Sequence, residues 1–96
     1  MIIWVLYDIK SDKARSFVAK ACKQAGLYRV QYSCFLGTVN ENEKDSLELQ
    51  MEGVIDEETD KIYVFRMNKT QLKECRMMGQ AFDEKLITDE IKSLFF

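Results

Sequence analysis

The chain is expected to fold as one α+β domain, with helices lying on one face of an antiparallel sheet. Three observations lead there. The 96 residues are 47% apolar, enough for one thin core but not for two domains. Segments with the composition of strands alternate along the chain with segments of helical periodicity. The sequence also has no proline, and no low-complexity tract, linker or internal repeat divides it.

Ile2, Ile3, Trp4, Val5, Leu6 and Tyr7 form a nearly continuous apolar run, rich in β-branched and aromatic residues, that predicts a central strand ending at Asp8. Ser11 then offers an N-cap. Ala14, Phe17, Val18, Ala21, Cys22 and Ala25 recur at helical spacing until Gly26 supplies a left-handed stop. From Tyr28 to Leu36 an imperfect alternation predicts a second strand, closed by Gly37. Leu47, Met51, Val54 and Ile55 give the stretch from Asn40 to Gly53 one apolar side, predicting a second helix with an acidic outer face. Asp60 to Met67 reads as a third strand, apolar enough to lie inside a sheet. Between Gln71 and Met78 a short helical turn and a short fourth strand ending near Gly79 are expected, while residues 80 to 96 fit strand, helix or tail.

Strand, helix, strand, helix, strand and short strand suit a ferredoxin-like domain, the β-α-β-β-α-β sandwich whose antiparallel sheet is covered by two helices. The domain is expected to span residues 1–79, with residues 80–96 docking a dimer mate or another partner. The strands are too apolar to leave the second face of the sheet in water, so dimerisation through the sheet is the simplest cover.

Composition narrows the chemistry. With no histidine in the chain, histidine-dependent nucleophiles, imidazole metal ligands and the commonest general base are excluded. Cys22, Cys34 and Cys75 lack the paired spacing of a zinc or redox motif and read as reduced and mostly buried. The opening apolar run meets Asp8 too soon for a signal peptide, and no run approaches the roughly 18 apolar residues of a membrane span, so a cytoplasmic protein without membrane contact is expected. The net charge of −2 argues against nucleic-acid binding driven by charge over the whole molecule. The charge is nonetheless divided. Residues 1–37 carry six basic groups against two acidic ones, and the rest carry eight against fourteen, so one positive face and an acidic remainder are expected.

Asp8 directly follows a buried strand, where a carboxylate is held rigidly at the rim within reach of metal ions and phosphates. Alternatively it merely ends the strand or helps to cap the next helix. A two-fold axis nearby would bring two copies of the carboxylate together to share a metal. Arg15 and Arg29 have the fork geometry that suits phosphate, and equally that of ordinary surface arginines. At about 100° per residue, Lys13, Lys20 and Lys23 share one sector of the first helix, either a solvated face or a phosphate-facing one. Tyr7 and Phe35 suit base stacking or the core.

Tyr7-Asp8-Ile9, then Asp12 and Arg15, the run from Gly26 through Tyr28-Arg29-Val30-Gln31-Tyr32-Ser33-Cys34-Phe35, and Asp60 to Phe65 resemble the family of small CRISPR-associated endonucleases, the non-integrase partners in spacer acquisition. The likeness runs from residue 1 to about residue 67 and is most specific between Gly26 and Phe35. It implies a homodimer in which Asp8 of each chain faces its mate across a cleft and binds Mg²⁺ or Mn²⁺, making Asp8 both metal ligand and catalytic residue. Tyr7, Arg15, Arg29, Ser33 and Phe35 are then the expected nucleic-acid contacts, to which the basic sector of the first helix adds Lys13. Partners implied by the resemblance are a CRISPR integrase and protospacer DNA, with RNA as a further substrate; the functions implied are metal-dependent endonuclease and scaffold bridging integrase dimers. The acidic second half and Leu94-Phe95-Phe96 are candidates for integrase docking, the terminal Phe pair alternatively packing on the dimer mate. Two rival readings use the same fold: a free-standing, toxin-like ribonuclease and a regulatory module binding a small ligand between protomers.

Overall fold

A computed structural model describes residues 1–81 as four strands and three helices in the order β1 (Ile2–Asp8), α1 (Asp12–Gln24), β2 (Tyr28–Gln31), β3 (Cys34–Thr38), α2 (Glu41–Glu52), β4 (Lys61–Met67) and α3 (Lys69–Glu74). The strands form one antiparallel sheet in the order β2-β3-β1-β4, which bears out the ferredoxin-like expectation. Residues 82–96, the greater part of the segment assigned to docking, lie outside the described residues. No helix among the described residues is long and apolar enough to cross a membrane.

β1 is central because both of its faces have something to bury. Ile3, Val5 and Tyr7 point toward α1 and α2 and join the main core, whereas Ile2 belongs to a second cluster on the opposite face. α1 begins where Ser11 Oγ accepts the Ala14 amide at 3.2 Å. Its buried stripe is Ala14, Val18, Ala19, Ala21 and Cys22, mostly small side chains that let the helix sit close to the sheet. Gly26 ends it with φ of +90°, a value that L side chains rarely adopt. α2 is fixed at its start by a reciprocal cap between Asn40 and Glu43 and seats Leu47 and Met51, one turn apart, in the same core.

Four expectations are corrected. The single strand predicted over Tyr28 to Leu36 is a hairpin: Tyr32 and Ser33 form its turn, and a register shift between Arg29 and Gln31 accounts for the imperfect alternation. Gly37 lies inside β3 and does not close a strand; a Cβ there would come within 3.0 Å of Leu27 Cδ2 and 3.2 Å of the Gly26 carbonyl, so the close crossing of the α1–β2 loop requires glycine. β4, expected inside the sheet, is an edge strand with Tyr63 and Phe65 about half exposed. The strand expected to end near Gly79 does not form; the short helical turn expected beside it is present as α3, started where Asn68 and Gln71 cap one another.

α3 crosses the sheet face opposite α1 and α2. Its Leu72 is buried with Ile2, Val30 and Leu36, which covers part of the face for which a second copy was expected. Burying one leucine is worth about 1.5–3 kcal/mol, a large share for so short a helix. Beyond α3, Tyr63 and Phe65 of β4 carry half-exposed rings on the sheet edge. The Tyr63 and Phe65 rings lie nearly parallel with centroids 6.2 Å apart, and across the register they neighbour Leu6 and Trp4.

Candidate nucleic-acid and metal site

The hairpin turn, the end of β1 and one side of α1 enclose a recess of about 480 Å³. Its floor is Tyr7. The Tyr7 amide donates to the Ser33 carbonyl at 3.0 Å, and its hydroxyl donates to the Tyr32 carbonyl at 3.0 Å, so a single residue ties β1 to the turn twice. Burial pushes the Tyr7 phenol up from its ordinary value, an effect that the neighbouring Arg29 guanidinium opposes. With the proton retained, the group serves as a donor.

Arg29 enters from β2, in register with Phe35. Its guanidinium carbon lies 5.1 Å from the Phe35 ring centroid and 5.9 Å from that of Tyr32, so two aromatic faces hold the fork. Its Nε is buried without a hydrogen-bond partner among the described residues. Arg15 approaches from α1 and has more local work. It donates to the carbonyls of Ile9 at 2.9 Å and Lys10 at 3.1 Å and pairs with Asp12, which clamps the β1–α1 loop. Lys20 and Lys23, one turn apart on α1, complete the basic wall, and Ser16 and Ser33 contribute hydroxyls.

Tyr7, Arg15, Arg29 and Ser33 are thus brought together as the sequence suggested. Phe35 is not a contact residue: it is fully buried, its ring 6.3 Å from that of Tyr7, and it supports the recess from beneath. Lys13 is exposed on α1 outside the recess. The signal for Lys20 and Lys23 was present in their shared helical sector, but nothing in the sequence showed which part of that sector faces the turn. Tyr32, the exposed wall, was missed because the region read as continuous strand.

Asp8 is exposed and, by the alternation of β1, projects from the opposite sheet face to Tyr7; its register neighbour on β4 is Lys61. Among the described residues no group of three or more potential ligand side chains could hold a metal ion. One carboxylate does not make a Mg²⁺ or Mn²⁺ site. These cations accept one or two carboxylates when water and phosphate oxygens supply the rest, so Asp8 fits the role only beside a second carboxylate or a bound phosphate.

Fold and recess together define a small, acidic ferredoxin-like protein in which Lys20, Lys23 and Arg29, without ion pairs among the described residues, line one recess that an anion can enter. Residues 1–75 match the family model described as CRISPR associated protein Cas2, and the chain belongs to that family. It is 31% identical over 80 residues to CRISPR-associated endoribonuclease Cas2 2 of Chloroflexus aurantiacus, covering 83% of this chain and 94% of that protein. It is also 31% identical over 84 residues to CRISPR-associated endonuclease Cas2 of Halalkalibacterium halodurans, covering 82% and 86%. The crystal structure of Streptococcus pyogenes Cas2 superposes with a TM-score of 0.68 at 29% identity, over 82% of this chain and all of that one.

Proposed function

We propose that the protein acts in CRISPR spacer acquisition as a homodimeric scaffold that holds protospacer DNA and bridges integrase dimers, with Asp8 of each chain contributing to a Mg²⁺ or Mn²⁺ site. The observation that carries this reading is the recess: Lys20, Lys23 and Arg29 make no ion pair among the described residues, in a chain of net charge −2 that belongs to this family. Cations left unpaired at that cost in self-repulsion are arranged for an anionic partner. The half-exposed rings of Tyr63 and Phe65 on the edge strand β4 support a dimer mate, since apolar side chains along a sheet edge are seldom left in water. The groove between α2 and β4, walled by Glu48, Glu52 and Glu57 over Met51 and Ile62, supports an integrase with a basic contact surface.

A second reading, phosphodiester cleavage, is favoured by the names of the relatives, which include both an endoribonuclease and an endonuclease. In it the metal bound by Asp8 supplies charge neutralisation at the phosphate and an acidified water. The protein's own part is to hold the carboxylate at the strand end and to keep the strand in place through the basic recess.

Binding to a short duplex with blocked ends, measured against salt, tests the scaffold. Affinity should fall with a log–log slope of about −0.9 per phosphate neutralised, and an integrase of the same system should co-elute. A slope near zero together with no co-elution refutes the proposal. Asp8→Asn should weaken Mn²⁺ binding by calorimetry without changing the unfolding midpoint, because the side chain is exposed at a strand end. Unchanged metal affinity removes the metal site from the proposal.

A further inference from the structure

We infer that the recess seats a phosphomonoester, the doubly ionised phosphate at the end of a nucleic-acid strand or on a nucleotide, in preference to an internal phosphodiester. The inference rests on the nucleic-acid reading above and adds the class of phosphate. Charge is the first argument. The charge of Arg15 is matched by Asp12 and its donors are engaged by two carbonyls, whereas Lys20, Lys23 and Arg29 have no carboxylate partner among the described residues. Three uncompensated cations around one cavity exceed what the single charge of a diester balances. A monoester carries about −1.5 to −2 at neutral pH.

The second argument is the Arg29 fork. It is held over Phe35 and beside Tyr32 and lines the recess, while its Nε–H is buried with no acceptor among the described residues. A buried donor left unmade is costly, so a small turn of the fork toward a phosphate oxygen in the recess would relieve that cost while adding charge-assisted contacts. Shape is the third. A protein following a backbone lays its cations out in a row along the strand. Here Lys20 and Lys23 converge with Arg29 from the opposite wall on about 480 Å³, room for a phosphate and the sugar that bears it. The exposed ring of Tyr32 stands at the rim, where a terminal base can stack.

The test compares one short single strand carrying a 5′-phosphate with the same strand ending in a 5′-hydroxyl. Fluorescence anisotropy is read on the full-length protein in EDTA, so that no metal contributes. The phosphorylated strand should bind about tenfold tighter, the effect of one added charge-assisted contact. The preference should vanish in Arg29→Gln and in Lys20→Gln/Lys23→Gln, and shrink as pH falls below about 6, where the phosphate takes its second proton. The lysine pair is exposed on α1, so that variant keeps the test valid if Arg29→Gln fails to fold. Competition by AMP would identify a free nucleotide as the source, and its absence a strand end; either supports the inference. Equal affinity for the two ends, or a preference that survives both variants, overturns it. If end preference is missing while the blocked duplex still binds with its salt dependence, only this inference fails. Loss of duplex binding with the preference intact would instead sink the scaffold.

Discussion

Phe35→Ala separates a structural role for this ring from a role in contacting nucleic acid. The side chain is fully buried between the main core and the Arg29 guanidinium. Removing a buried phenylalanine costs about 3–5 kcal/mol through lost transfer energy and the cavity left behind. Loss of the cation–π contact adds about 0.5–1 kcal/mol. Against a total of about 5–15 kcal/mol for a domain of this size, about a quarter of the stability or more goes. With a urea slope of about 1–1.5 kcal/mol/M for a small protein, the unfolding midpoint should fall by about 2–6 M. Circular dichroism through a urea titration measures this, at fixed protein concentration because self-association shifts the apparent midpoint. Phe35→Leu keeps most of the volume and should cost about 1 kcal/mol, with duplex affinity nearly retained. If Phe35→Ala leaves the midpoint within about 0.5 M of wild type while nucleic-acid affinity collapses, the ring is a stacking surface and the burial argument is refuted.

Two further outcomes follow. Leu72→Ala should cost about 2–5 kcal/mol if α3 caps the second sheet face as described; loss of less than that, with no new binding of a hydrophobic dye, would mean α3 is not docked there in solution. Burial pushes the Cys22 thiol up to about 12 and the Cys34 thiol up to about 11, from an ordinary value near 9.0. The unfolded chain therefore loses these protons first, so their contribution to stability is complete below pH 9.0 and drains away as pH climbs toward 11 and 12. Thermal melts from pH 8 upward should decline across that window, and the decline should shrink in Cys22→Ala/Cys34→Ala; an unaltered decline would assign it to other groups.

Much of the architecture was legible because it rests on local signals. Ser11, Gly26 and Asn40 are capping residues that declare helix ends within a few positions, and the spacing of Leu47 and Met51 fixes which side of α2 is buried. The hairpin was not legible. Its turn is Tyr32-Ser33, without the glycine or asparagine that usually marks a tight reversal, and both residues also suit a strand. The four-strand total survived only because a strand assigned near Gly79 stood in for the one hidden in that run. For the site, the family resemblance identified Tyr7 and Arg15, while the choice of Lys20 and Lys23 over Lys13 depended on how α1 rotates against the sheet. Phe35 shows the same limit from the other side. Its composition allows a base platform, and only the depth of the fold shows that Arg29 and Tyr7 already occupy its two neighbourhoods.

Tyr7 and Asp8 are adjacent in the chain yet serve surfaces that never see one another. Their separation depends on nothing more than the parity of an extended backbone. Losing or gaining one residue within β1 would turn the carboxylate inward beneath Arg29 and swing the phenol out toward Lys61, exchanging the two chemistries in one event. Substitution at exposed Asp8, by contrast, can retune its surface while leaving the recess untouched, so the strand end tolerates a point change there far better than a single-residue insertion or deletion.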